Sequence, residues 1–196
     1  MSRLCISVFC LVLLASIVLA APVPTHLFPR TQPYYFPTTP GTKWVYESEY
    51  DKLTLVISES EQTEAGMLVS VDRVTRGEAT HFQKLLVSTN GVLQTDFMGK
   101  KIAHPWVLLN VPYKVGDTWS DDDSEEFGFT LSTNRICGVE TIKVPAGTFE
   151  AVKVDSEYSL KGQKINRSIW YAPHVGVVKI TGSGTQVLKS FTPGKQ

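Results

Sequence analysis

The chain has 196 residues, 42% of them hydrophobic, with 19 basic and 19 acidic side chains. That balance leaves no electrostatic case for nucleic acid or for an anionic membrane surface as partner. Two of the three cysteines, Cys5 and Cys10, lie in an N-terminal apolar run, which argues against a disulfide scaffold and a thiolate metal cluster.

Met1-Ser2-Arg3 gives a short positive start, and Leu4 to Leu19 is almost continuously apolar. Val18-Leu19-Ala20 then supplies the small residues a signal peptidase needs, which predicts a signal peptide over residues 1–20 and a mature chain beginning at Ala21. The competing reading is an uncleaved anchor, because the run approaches the roughly 18–20 residues that span a bilayer. The irregular Ala21-Pro22-Val23-Pro24 that follows favours cleavage. Cys10 does not fit a lipid-attachment site, since the apolar run continues past it. Arg3 is the only charge lost with the signal, so the mature chain carries a net charge of −1. The expectation is an exported protein, periplasmic or extracellular, monomeric, with no membrane span after cleavage and no disulfide. Its remaining thiol, Cys137 beside Ile136, reads as buried and inert.

Residues 21–42 hold six prolines, Pro22, Pro24, Pro29, Pro33, Pro37 and Pro40, and read as an extended peripheral segment. Tyr34, Tyr35 and Phe36 interrupt it and are expected to pin its end onto the domain. The segment finishes in a turn that the chain writes twice. Pro37-Thr38-Thr39-Pro40-Gly41-Thr42-Lys43-Trp44 returns as Pro112-Tyr113-Lys114-Val115-Gly116-Asp117-Thr118-Trp119, sharing Pro-x-x-x-Gly-x-x-Trp. Proline fixes φ, glycine takes a positive φ, and tryptophan opens the next strand with a large apolar anchor.

From Lys43 the pattern has period two. Trp44 and Tyr46 alternate with Val45 and Glu47, Leu53-Leu55-Ile57 with Thr54 and Val56, and similar runs follow at Met67–Val71, Phe82–Val87 and Gly91–Phe97. In the second half Phe127, Phe129 and Leu131 alternate with Gly128 and Thr130. Val144-Pro145-Ala146-Gly147-Thr148-Phe149 reads as a hairpin, with Gly147 at a left-handed position. Ile169–Ile180 is a strand, a turn and a strand, and Thr185–Phe191 closes the series. No window shows a 3.6-residue apolar stripe. The fold class is therefore all-β: one strongly curved or partly closed antiparallel sheet of about ten to twelve short strands. Residues 43–192 form a single domain, and 193–196 a tail.

Several landmarks together resemble a broad group of exported bacterial β-rich domains of unknown function, distantly similar to the half-barrels of periplasmic lipoprotein carriers. They are Tyr34-Tyr35-Phe36-Pro37, Gly41-x-x-Trp44-x-Tyr46, the Val144–Phe149 hairpin with Val152-Lys153-Val154, and Trp170-Tyr171-Ala172-Pro173 with Val175-Gly176-Val177-Val178-Lys179. The resemblance covers roughly residues 33–182. It implies a curved antiparallel sheet in an envelope or exported protein and brings no catalytic residues with it. His174 departs from the pattern, where a glycine or another small turn residue is expected.

Candidate chemistry is sparse. His26, His81, His104 and His174 lie far apart, in no metal-ligand spacing, and read as solvated or satisfied surface side chains. Asp121-Asp122-Asp123-Ser124-Glu125-Glu126 lacks the ligand spacing and central glycine of a calcium loop and reads as a solvated edge. No Gly-x-Ser-x-Gly elbow, phosphate loop or dinucleotide fingerprint occurs, so no catalytic, cofactor-binding or metal-binding residue is assigned and no cofactor is expected. The Asn166-Arg167-Ser168 glycosylation acceptor is read as accidental. Aromatics are the remaining candidates: Trp44, Trp106, Trp119 and Trp170, with Tyr34, Tyr35, Tyr46 and Tyr171, serve the core or line a concave face. The sequence thus points to a non-catalytic exported module that binds an apolar small molecule or an envelope protein. The alternative is a hydrolytic enzyme whose site is assembled from scattered residues.

Overall fold

The structure, a computed structural model, describes residues 34–49, 51–121, 129–160 and 162–195. The first six strands are β1 Lys43–Ser48, β2 Lys52–Thr63, β3 Gly66–Thr75, β4 Glu78–Ser88, β5 Gly91–Phe97 and β6 Lys100–Asn110. The second six are β7 Thr118–Asp121, β8 Phe129–Val144, β9 Gly147–Leu160, β10 Gln163–Ala172, β11 Gly176–Thr181 and β12 Thr185–Thr192. No helix occurs among the described residues. All twelve strands join one antiparallel sheet in the order β6-β5-β4-β3-β2-β1-β12-β11-β10-β9-β8-β7. Sequential hairpins and the right-handed twist curl this sheet into a nearly closed barrel. The seam lies between its two ends, β6 and β7.

Period-two alternation decides which side chains fill the interior. Trp44 and Tyr46, Ile57, Val69 and Val71, Leu85 and Val87, Val152 and Val154, and Leu188 are all buried in one continuous core. Burying each large apolar side chain contributes about 1.5–3 kcal/mol, and no disulfide is needed. Tyr35 and Phe36 are buried against one end, where Phe36 packs on Trp44 with ring centroids 5.0 Å apart. Tyr34 stays exposed, but its carbonyl accepts the His174 N–H at 2.7 Å. His174 itself sits at φ 60°, the left-handed conformation that a glycine ordinarily supplies in such a turn.

The repeated turn is a structural repeat. Gly41 N–H donates to the Ile57 carbonyl at 2.8 Å, and Ile57 N–H donates to Thr42 at 2.9 Å. In the second copy Gly116 N–H donates to Ile136 at 2.9 Å, and Ile136 N–H to Asp117 at 2.9 Å. Both glycines have positive φ, 80° and 95°, so a side chain at either would be strained. Both indoles also donate to a backbone carbonyl at 2.7 Å, Trp44 to Val175 and Trp119 to Val107. The likeness continues in the next strands: β3 opens on Gly66 and carries Val69-Ser70-Val71-Asp72, while β9 opens on Gly147 and carries Val152-Lys153-Val154-Asp155. The barrel is thus two six-strand units, β1–β6 and β7–β12. In that correspondence the β1–β12 boundary is equivalent to the β7–β6 boundary. Among the described residues only the first is a hydrogen-bonded ladder.

Candidate functional site

At the seam side chains do the work of a ladder. Val107 N–H on β6 donates to Asp121 Oδ1 at 3.1 Å, and the Val107 carbonyl accepts the Trp119 indole N–H at 2.7 Å. Pro105, which has no N–H to donate, is tolerated within β6 because that strand is an edge. Just inside this junction lies a cavity of about 170 Å³. One wall comes from β5 and β6, with Gln94, Phe97, Trp106, Val107 and Leu108. The other comes from β7 to β10, with Asp121, Asn134, Ser156, Tyr158, Arg167 and, deeper, Ile169 and Tyr171.

Register explains why polar groups collect there. Trp119 faces Asn134, Asn134 faces Ser156, and Ser156 faces Arg167, so one row crosses four strands. The adjacent row, Ile136–Val154–Ile169, is apolar and buried. Asn134 and Ser156 are themselves buried, and each has a partner: Ser156 Oγ donates to Asn134 Oδ1 at 2.5 Å, and Asn134 Nδ2 donates to Asp121 Oδ2 at 3.3 Å. On the opposite wall Gln94, also buried, donates to Gln83 Oε1 at 3.1 Å. A buried amide or hydroxyl without such a bond costs about 1–3 kcal/mol, so the row is held as a unit.

Charge in the cavity comes from Asp121 and Arg167. The Arg167 guanidinium carbon lies 5.1 Å from the Tyr158 ring centroid. Burial pushes the Tyr171 phenol up to about 12, a rise that the positive charge of Arg167 works against. Ser156 has no base at its hydroxyl: its hydrogen bond goes to an amide oxygen. The arrangement can hold a small molecule by an apolar body and polar contacts.

The structure separates the sequence candidates. Of the eight aromatics, Trp106 and Tyr171 line the cavity. Trp44, Tyr46 and Tyr35 are core side chains, and Trp119 bridges the seam. Trp170 faces away, with Lys153 and Lys179 at 5.5 and 4.9 Å from its ring and its indole N–H on Glu140 at 2.8 Å. His81 is a satisfied surface side chain, 2.7 Å from Asp96 and 3.7 Å from Asp72. His104 lies exposed on β6. Cys137 is half-buried rather than buried. Burial pushes its thiol up and the hydrogen bond to Asp155 at 3.1 Å adds to the rise. Asp121, read as part of a solvated run, is instead half-buried and structural, because the seam uses its carboxylate. The signal segment, His26 and residues 122–128 lie outside the described residues. Among the described residues no group of three or more histidine, cysteine or acidic side chains is placed to hold a metal ion.

The polar row was missed in the sequence although a signal for it exists. Asn134, Ser156 and Arg167 each stand two positions from an inward apolar residue, Ile136, Val154 and Ile169, and so occupy core parity with polar side chains.

Comparison with known proteins agrees with the β-rich landmarks. A family model described as DUF3108-like matches residues 87–182, from the end of β4 through β11. Among solved structures, a "putative exported protein with YmcC-like fold" from Bacteroides fragilis is 15% identical, with a TM-score of 0.57, over 82% of this chain and 100% of that one. A "putative lipoprotein" from Parabacteroides distasonis is 17% identical, with a TM-score of 0.51, over 82% of this chain and 99% of that one. At these identities the two structures share the fold. No curated protein matches.

Proposed function

We propose that this protein is an exported binding module that takes a small molecule with an apolar body into the sheet interior beside the β6–β7 seam, without altering it chemically. The observation that carries the reading is a cavity of about 170 Å³ lying where the barrel lacks its ladder. Its walls are aromatic and aliphatic with a few fixed polar groups, the usual composition of a small-molecule site. A cavity of that size favours a small molecule over a segment of an envelope protein. Hydrolysis has less support, because Ser156 donates to Asn134 rather than to a base. Export, to the periplasm or beyond the cell, is supported by the N-terminal residues and by the descriptions of the two similar structures.

Calorimetric titration of the purified protein with 1-octanol tests the reading. The expected result is saturable one-to-one binding that Leu108→Trp, which fills the cavity from β6, abolishes while the protein stays folded. Non-saturable uptake, or binding indifferent to Leu108→Trp, overturns it.

A further inference from the structure

We infer that the ligand of this cavity is a monoanion, a carboxylate on a short apolar body, and that Arg167 holds its charge; the inference rests on the binding reading above. Arg167 shares the inner face with Asn134 and Ser156, placed there by the β8–β9 and β9–β10 registers. Among the described residues no carboxylate pairs with its guanidinium, and its Nε–H is buried without an acceptor. A guanidinium carries five N–H donors and stays protonated, so beside the Tyr158 ring Arg167 brings to the lining a permanent positive charge and an N–H without an acceptor.

Asp121, the carboxylate in the lining, is hydrogen-bonded elsewhere. Its Oδ1 accepts the Val107 N–H at 3.1 Å and its Oδ2 accepts Asn134 Nδ2 at 3.3 Å, so both oxygens take part in closing the seam. Spare hydrogen-bonding capacity at the charged groups is therefore on the cationic side. One guanidinium pairs with one negative charge, and Asp121 already places another in the lining. A dianion such as a phosphate monoester would bring a second charge into largely apolar walls with nothing to pair it, which is strongly unfavourable. The ligand's size follows from the volume: about 170 Å³ compares with the roughly 150 Å³ that admits benzene, which suits a ring or chain of about six to eight carbons.

Octanoate and 1-octanol differ only in the group Arg167 would meet, so their calorimetric titration at pH 7.5 isolates the charge. The expected result is octanoate bound at least about tenfold more tightly than octanol, as a charge-assisted hydrogen bond provides. Arg167→Met should bring the two together, and Arg167→Lys should keep part of the preference. Equal binding of both by the wild-type protein overturns the anion assignment and leaves the cavity reading standing. Binding of neither overturns the cavity reading itself. Selectivity that survives Arg167→Met overturns the role of Arg167. If that variant does not fold, salt decides with the wild-type protein: octanoate affinity falling with ionic strength while octanol affinity holds supports the inference, and no salt dependence overturns it.

Discussion

On the outer face of β9, Asp155 joins residues distant in sequence into one polar cluster. Its Oδ1 accepts Ser168 Oγ at 2.6 Å, its Oδ2 accepts the Cys137 thiol at 3.1 Å, and Lys153 Nζ stands 3.7 Å away. Burial pushes the Asp155 carboxyl up, but the bonds from Ser168 and Cys137 and the charge of Lys153 outweigh it and hold it below the usual range. A carboxylate whose folded value is depressed stabilises the fold above the unfolded value of about 3.9 and loses that contribution as pH falls through the folded value. The side chain is 48% exposed, so solvent screening limits the effect to about 0.5–1 kcal/mol. Asp155→Asn is expected to be less stable than wild type by that amount at pH 7 and to close the gap in strong acid. Urea unfolding at pH 7 and at pH 3 measures it, and a difference that does not change between them would show that Asp155 titrates normally.

The turn–strand element is where sequence and structure correspond most closely. Pro-x-x-x-Gly-x-x-Trp encodes a complete local mechanism: a positive-φ glycine, two backbone bonds to a neighbouring strand, and an indole anchored on a carbonyl. The copies differ in what surrounds the tryptophan. Trp44 is 0% exposed and packs on Phe36 and Phe191, whereas Trp119 is half-buried at an edge and runs into Ser120-Asp121. Trp44→Ala should therefore cost about 3–5 kcal/mol, the loss for a large aromatic removed from a core, and Trp119→Ala about half as much. Trp119→Phe, which keeps the ring but loses the bond to Val107, should cost about 1 kcal/mol. Denaturant midpoints of the three variants check the order. Equal costs for the two alanine variants would mean that the seam is packed as tightly as the core. The sequence also carried the strands, through alternation, and the Val144–Phe149 hairpin. It carried the cavity poorly, because its lining runs from Gln94 to Tyr171 and is brought together by register between strands rather than by spacing along one.

At the scale of the whole sheet, the two six-strand units make the position of the cavity intelligible. Repeated units would close a barrel through two equivalent boundaries. At β1–β12 Trp44 faces Phe191 within a ladder of backbone bonds, with ring centroids 6.0 Å apart. At β6–β7 the corresponding tryptophan reaches across to a single backbone carbonyl, and Asp121 supplies the acceptor that a strand would have supplied. Backbone bonds lost from one boundary leave room inside it, and the polar row from Asn134 to Arg167 occupies the wall thereby exposed. A boundary held by side chains should open more readily than a ladder. Native-state hydrogen exchange is therefore expected to show amides of β7 and the seam-facing edge of β6 exchanging at least about tenfold faster than those of β1 and β12. Asp121→Ala should speed the Val107 amide further and leave the β1–β12 amides unchanged, since the change acts at one boundary. Uniform protection across both boundaries, or an Asp121→Ala effect spread over the whole sheet, would mean that the barrel opens only by unfolding globally.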